Sequence, residues 1–146
     1  MALENKFSEV AENTFYSMSY NQSLNENKLR GSRCKKCESV SVPPRPICHK
    51  CNGNDMELVD MKGKGKLIAY TVIAVGTSFM VEEGYNRDHP YCSGVVELEE
   101  GARVVARIEG VDTSKPETIK IGIPLTVEYL HRGEGENLKT YLAFKP

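Results

Sequence analysis

Cys34, Cys37, Cys48 and Cys51 are spaced C-x2-C-x10-C-x2-C, and four thiolates at that spacing can close around one metal ion. Each CxxC turns tightly enough to present two sulfurs to the same ion, while nearby backbone N–H groups stabilise the thiolates. Zinc and iron both accept four thiolates; zinc is the preferred reading. A site with four protein ligands is closed, so its metal is structural and leaves no position for water or substrate. The ten-residue spacer is short for two knuckles, but Pro43, Pro44 and Pro46 stiffen its return path. His49, inside the second knuckle, reads as solvent-facing and not as a further ligand.

The segment that must position these cysteines is poor in large apolar residues. Between residues 28 and 56 they are mainly Leu29, Val40, Val42 and Ile47. Burial alone cannot hold such a segment, and a metal supplies the missing cross-link. Ahead of it, Phe7, Val10, Ala11, Phe15 and Met18 recur at helical spacing and predict an amphipathic helix, followed by a polar connector over 21–27. From Glu57 onward the pattern is β. Strands are expected at 67–75, 91–98, 103–108, 125–131 and 140–144, with turns at 99–102 and 132–135. In the third, Val104, Ala106 and Ile108 share one face, and Arg103, Arg107 and Glu109 the other. Five short strands without crossover helices argue for a small antiparallel barrel, preferably an OB-fold, although an SH3-like barrel would show much the same pattern. The expected organisation is a helical segment over 1–27, a zinc ribbon over 28–56 and a barrel domain over 57–146.

Bulk properties agree with a folded domain and narrow the function classes. The chain has 146 residues, 40% hydrophobic and 27% charged, with a formal net charge of −1. Seven basic residues and one acid, Glu38, fall between Lys28 and Cys51. Four thiolates on a divalent metal carry net negative charge, so part of that cluster offsets the site. Neither a membrane span nor a secretory leader is evident, and a cytoplasmic protein is expected, in which paired CxxC motifs are metal ligands and not disulfides.

Other residues invite chemistry less strongly. Cys92 follows His89-Pro90-Tyr91 and has the makings of a nucleophile with a base, but it lies in an expected strand, where a buried inert cysteine is the usual finding. No nucleophile elbow, carboxylate pair or Walker loop is present. Lys62, Lys64 and Lys66 alternate with Gly63 and Gly65; they read either as a flexible turn or as a phosphate contact that glycine permits. The segment 77–90 is long for a hairpin connection and carries Phe79, Met80, Tyr85 and Arg87.

The stretch Gly31-Ser32-Arg33-Cys34-Lys35-Lys36-Cys37, the segment 44–51 with its second knuckle, and segments 63–72, 90–103 and 121–127 together resemble a known family. These are acyl-CoA-associated proteins in which a helical segment and a rubredoxin-like zinc ribbon precede an OB-fold. The resemblance covers most of the chain from residue 31. It implies a small non-catalytic subunit that assembles with a thiolase, a thiolase-like acyltransferase or a hydratase and helps form or cover its CoA site. The partner then supplies the catalytic groups, and no catalytic residue is expected here. Phe7, Phe15 and Met18 on the helix, with Phe79, Met80 and Tyr85 on the long loop, are the expected partner anchors. Lys62, Lys64, Lys66 and Arg87 are the expected contacts for the phosphates of CoA or acyl-CoA. Zinc ribbons and OB-folds also occur in nucleic-acid-binding proteins, but a pI near 6.3 and acids along the barrel strands fit that class poorly.

Overall fold

The computed structural model describes residues 15–146. Phe7, Val10 and Ala11 of the expected helix lie outside the described residues. Within them a helix α1 (Ser17–Asn25) leads into strands β1 (Arg30–Cys34), β2 (Val40–Ser41) and β3 (Met56–Asp60), which form an antiparallel sheet in the order β2-β1-β3. This is the ribbon. Its third strand runs through the division expected at 56/57, pairing Asp60 with Arg30 and Met56 with Cys34.

A closed five-stranded barrel follows. Strands β4 (Lys64–Ile73), β5 (Tyr91–Leu98), β6 (Arg103–Ile108), β7 (Pro124–Arg132) and β8 (Lys139–Lys145) close in the order β4-β5-β6-β8-β7. Only the β6–β8 pairing is parallel. That order is the OB-fold expected from the strand pattern. Alternation explains which residues fill the barrel: β5 buries Cys92, Gly94, Val96 and Leu98, and β6 buries Val104, Ala106 and Ile108. Leu67, Leu125 and Phe144 complete the interior. Complete burial of Phe144 stabilises the fold by about 3 kcal/mol.

β4 begins three residues earlier than the alternation of apolar residues suggests, and Lys64, Gly65 and Lys66 already belong to the ladder. They pair with β7, and Gly65 and Lys66 also pair with β5; a bulge between Leu67 and Ala69 bends the strand as it passes between neighbours. Gly65 is required by close approach: a Cβ there would stand 2.4 Å from the Glu97 carbonyl oxygen. The lysine–glycine segment is thus the start of a strand and not a flexible turn.

The polar run expected to be a connector is mostly helix. α1 extends to Asn25 because its inward face is made of Ser19, Ser23 and Leu24, with Tyr20 against the barrel core, so few large apolar residues betray it. Burial pushes the Tyr20 hydroxyl up to about 12. The helix stops where Asn27 adopts φ 60°, and Lys28 N and Asn27 N donate to the carbonyls of Ser23 and Leu24. Polar groups dock it on the barrel. Asn25 Nδ2 donates to Leu138 O at 3.3 Å, Thr140 Oγ1 donates to Asn25 Oδ1 at 2.7 Å, and His131 Nε2 meets Asn27 Oδ1 at 2.7 Å.

The long β4–β5 connection is also structured. It contains a short helix α2 (Ser78–Glu82) and packs against β6, β7 and β8 as a strap. Phe79 stacks on Tyr141 at 5.0 Å, Tyr85 meets Tyr91 edge-on at 5.5 Å, and Arg107 lies 5.4 Å over the Tyr85 ring. Arg107 Nη2 reaches Met80 Sδ at 3.6 Å, and Arg132 grips Glu83 through Nε and Nη2 at 2.9 and 3.0 Å. Met80, held in this strap, is buried apart from the principal core.

Candidate metal centre

Two turns of nearly identical construction carry the cysteines. Glu38 N donates to Cys34 O and Asn52 N to Cys48 O, each four residues on; Cys34 N donates to Ser39 O and Cys48 N to Gly53 O, each five residues on. Glu38 and Asn52 sit at the same place in their turns, with φ of 65° and 59°. Asparagine tolerates that left-handed conformation better than glutamate, so the first knuckle hides its turn from sequence reading. The spacer is anchored as well: Arg45 N donates to the Oγ of Ser32, which is wholly buried, at 2.9 Å.

The four sulfurs converge. Cys34 Sγ and Cys51 Sγ stand 3.6 Å apart, Cys37 Sγ and Cys48 Sγ 3.5 Å, and all four lie within 4.8 Å of one another. A tetrahedral site with metal–sulfur bonds of about 2.3 Å requires sulfurs about 3.8 Å apart, which this cluster meets. Cys34 and Cys48 are buried and Cys37 and Cys51 half-buried, so one side of the cluster faces the protein and the other the surface.

The surroundings favour thiolates unevenly. The Ser39 hydroxyl, 3.2 Å from Cys37 Sγ, and the Ser39 amide lower the Cys37 thiol to about 6. The amides of Cys51 and Lys50 lower Cys48, with Lys50 N at 3.4 Å from its sulfur. At Cys51 the Gly53 amide favours the thiolate, but the neighbouring Cys34 sulfur and burial outweigh it, and the thiol is pushed up to about 11. Four thiolates this close repel one another, and a divalent cation is the charge that lets them coexist. Cys34, Cys37, Cys48 and Cys51 therefore suit zinc and would hold it as a structural ion. Ser39 escaped the sequence reading because nothing about a serine two residues past a cysteine marks it as a sulfur partner. His49 is exposed, and its Nδ1 is 2.8 Å from Ser41 Oγ.

The other candidate residues are scattered. Lys62 and Lys64 are exposed, Lys62 N donates to Glu100 Oε2 at 2.8 Å, and Lys66 Nζ lies 3.6 Å from Glu97. Arg87 is exposed beyond the far end of the β4–β5 hairpin. From Lys66, opposite Glu97, to Ile73, opposite Tyr91, the ladder runs seven residues, about 23 Å, so one phosphate cannot touch both ends. Of the expected anchors, Met18 is 66% exposed and Phe15 half-buried, whereas Met80 is buried and Tyr85 half-buried inside the strap; Phe79 is 37% exposed. Cys92 is wholly buried, and burial raises its thiol.

Comparison with known proteins supplies the family. Residues 58–130 match the ChsH2 C-terminal OB-fold domain, and residues 22–57 match the ChsH2 rubredoxin-like zinc ribbon domain. DUF35 domain-containing scaffold proteins are 40% identical over 96 residues in Methanocaldococcus jannaschii and 35% over 119 residues in Methanothermobacter thermautotrophicus. The matches cover 65% and 80% of this chain, and 62% and 84% of those relatives. The benzoylsuccinyl-CoA thiolase subunit BbsA of Thauera aromatica is 33% identical over 86 residues, covering 59% of this chain and 55% of that one. A probable enoyl-CoA hydratase alpha subunit of Thermomonospora curvata is 28% identical over 130 residues, 86% of this chain but 35% of its own length. Among solved structures, the Ltp2-ChsH2(DUF35) aldolase contains a chain that superposes with a TM-score of 0.67 at 27% identity, covering 88% of this chain and 91% of that one. With ribbon and barrel both matched in order, this chain belongs to the ChsH2/DUF35 family of zinc-ribbon and OB-fold proteins.

Proposed function

We propose that this chain is a non-catalytic, zinc-containing subunit that assembles in the cytoplasm with a thiolase or thiolase-like acyltransferase and helps form or cover its CoA site. The observation that carries the reading is the nature of its reactive groups. Four of five cysteines form a closed sulfur cluster that leaves a bound metal no open position, and the fifth is buried with its thiol raised. Relatives whose names place them in thiolase and aldolase assemblies support the choice of partner. The relative named as a hydratase subunit, aligned over most of this chain, favours an acyl-CoA hydratase as the second choice. Nucleic acid is the weaker alternative, because Arg30, Arg33 and Lys35 of the basic ribbon are paired with Asp60, Glu57 and Asp55.

Within this reading the exposed apolar residues Met18 and Phe79 are the partner anchors to test first, with Phe7 and Phe15 beside them. Lys62, Lys64 and Lys66 at one end of the barrel, and Arg87 at the other, are separate places where CoA phosphates could be met. The test is co-expression with the thiolase-like and hydratase proteins of the same cell. A stable hetero-oligomer is expected on size exclusion, weakened by Met18→Ala without a matching fall in melting temperature, whereas Phe79→Ala, which also loses the Tyr141 contact, should weaken association by more than its own loss of stability explains. A chain that stays monomeric beside every such protein refutes the reading.

A further inference from the structure

Two clefts open where the ribbon meets the β5–β6 turn, and their linings carry opposite charge. The larger, about 620 Å3, has the carboxylates of Glu38, Asp60 and Glu100 on its wall with Arg33. The smaller, about 290 Å3, is lined by Arg45 and His49 from the ribbon and Arg103 from the barrel, and no carboxylate is among its lining residues. We propose that this smaller cleft binds the phosphoryl group of a small phosphorylated ligand, with Arg45 and Arg103 as the charged donors.

The cleft is built before any ligand arrives. Arg45 stands between Pro44 and Pro46, which restrict its backbone, and its amide is tied to the buried Ser32 hydroxyl. The Ser41 hydroxyl bonds His49 Nδ1 and leaves Nε2 as the ring's other polar atom. On the opposite wall Gly101, at φ 95°, turns the chain from β5 into β6, and a Cβ there would meet nothing within 4 Å, so this wall stays low. Arg103 spends its Nε on Glu97 at 3.2 Å, and its two terminal nitrogens make no hydrogen bond among the described residues. Two arginines lining a recess that has no carboxylate in its wall suit a tetrahedral oxyanion, whose oxygens accept paired N–H donors. The volume readily accommodates a phosphoryl or pyrophosphoryl group. Because the walls come from ribbon and barrel, the anion bridges the two halves of the protein.

The zinc-loaded full chain should be titrated by calorimetry and by amide-shift mapping with inorganic pyrophosphate, CoA and dephospho-CoA. Saturable binding is expected, with shifts at residues 41–49 and 101–103. Arg45→Gln and Arg103→Gln should each weaken it by about tenfold, as expected for loss of a charged hydrogen bond. Lys120→Gln, outside the cleft, should leave it unchanged. Glu97→Gln, which removes the partner of Arg103 but keeps the guanidinium, should bind at least as well as the parent. Metal content and melting temperature verify the fold of each variant. Pyrophosphate binding as tightly as CoA assigns the site to free phosphates, and CoA exceeding dephospho-CoA assigns it to the nucleotide's phosphomonoester; either supports the proposal. Saturation with none of the three, or binding that both arginine variants leave unaltered, overturns it. No partner enzyme is needed, so a chain that binds these anions yet joins no acyl-CoA enzyme keeps the cleft and refutes only the function proposed above.

Discussion

From Arg30 to Asp60 no large aliphatic or aromatic side chain is fully buried: Cys34, Cys48, Pro44, Ser32 and Ser41 are, while Val40, Val42 and Val59 are only partly covered. From Lys64 to Lys145, by contrast, the barrel buries Leu67, Val96, Leu98, Ile108, Leu125 and Phe144 against one another. The barrel has a core that opposes chain entropy by removing apolar surface from water. The ribbon has sulfurs where a core would be. One chain thus uses two solutions to the same problem, and the smaller unit takes the one that does not need volume.

The sharpest way to break this comparison is to remove one sulfur. Cys34→Ser or Cys48→Ser is expected to abolish metal binding, measured by elemental analysis, and to expose the amides of residues 30–60 to exchange while those of the barrel stay protected. Structural zinc contributes on the order of 10 kcal/mol in small modules, far more than this ribbon recovers from burial. Phe144→Ala is the converse: it should cost about 3–5 kcal/mol of barrel stability and leave one metal ion per chain. If Cys34→Ser unfolds ribbon and barrel together, the two are one cooperative unit and the contrast is wrong.

Cys92 sharpens the contrast from the other side, as a cysteine spent on packing. It is part of the barrel core, and its thiol makes only a long hydrogen bond, to the Ser93 carbonyl at 4.0 Å, among the described residues. Cys92→Ser places a hydroxyl there without a good partner and should cost about 1–3 kcal/mol in a denaturant titration. In an assembled complex its turnover should be nearly unchanged. A loss of about a hundredfold in turnover by a well-folded variant would make Cys92 a catalytic residue after all.

What the sequence makes legible follows the same division. The metal ligands are readable because zinc chemistry imposes spacing on residue type, and the strands of β5 and β6 because Val104, Ala106 and Ile108 alternate with polar residues. Three features were hidden. α1 buries serines, which look like a connector. β4 starts on Lys64 because the Gly65 backbone presses against β5, a demand of barrel closure that no local pattern reveals. The strap is invisible because its contacts, Phe79 to Tyr141 and Glu83 to Arg132, span about fifty residues or more and were read instead as loop residues awaiting a partner. Long-range pairing decides such features, and a single sequence does not display it.

The smallest predicted effect concerns that strap, which belongs to neither ribbon nor main core. Arg132 holds Glu83 through a two-pronged hydrogen bond and keeps its carboxyl below the ordinary carboxylate range. An unfolded glutamate titrates near pH 4.3. A carboxyl whose folded pKa is depressed contributes stability that is present above the unfolded value and disappears as pH falls through the folded one. The strap should therefore be tightest near neutrality and loosen in acid, and Glu83→Gln should remove that pH dependence. At neutral pH the substitution should cost about 1 kcal/mol or less, since the pair lies near the surface. Exchange of the amides of residues 78–85 reads the effect locally: faster exchange there, with 104–108 unchanged, is the expected outcome. The aromatic contacts of Phe79 and Tyr85 would still hold the strap, so the change is one of rate and not of structure. Exchange over 78–85 that is indifferent both to acid and to Glu83→Gln would mean that the aromatic contacts alone fasten the strap and that the ion pair is incidental.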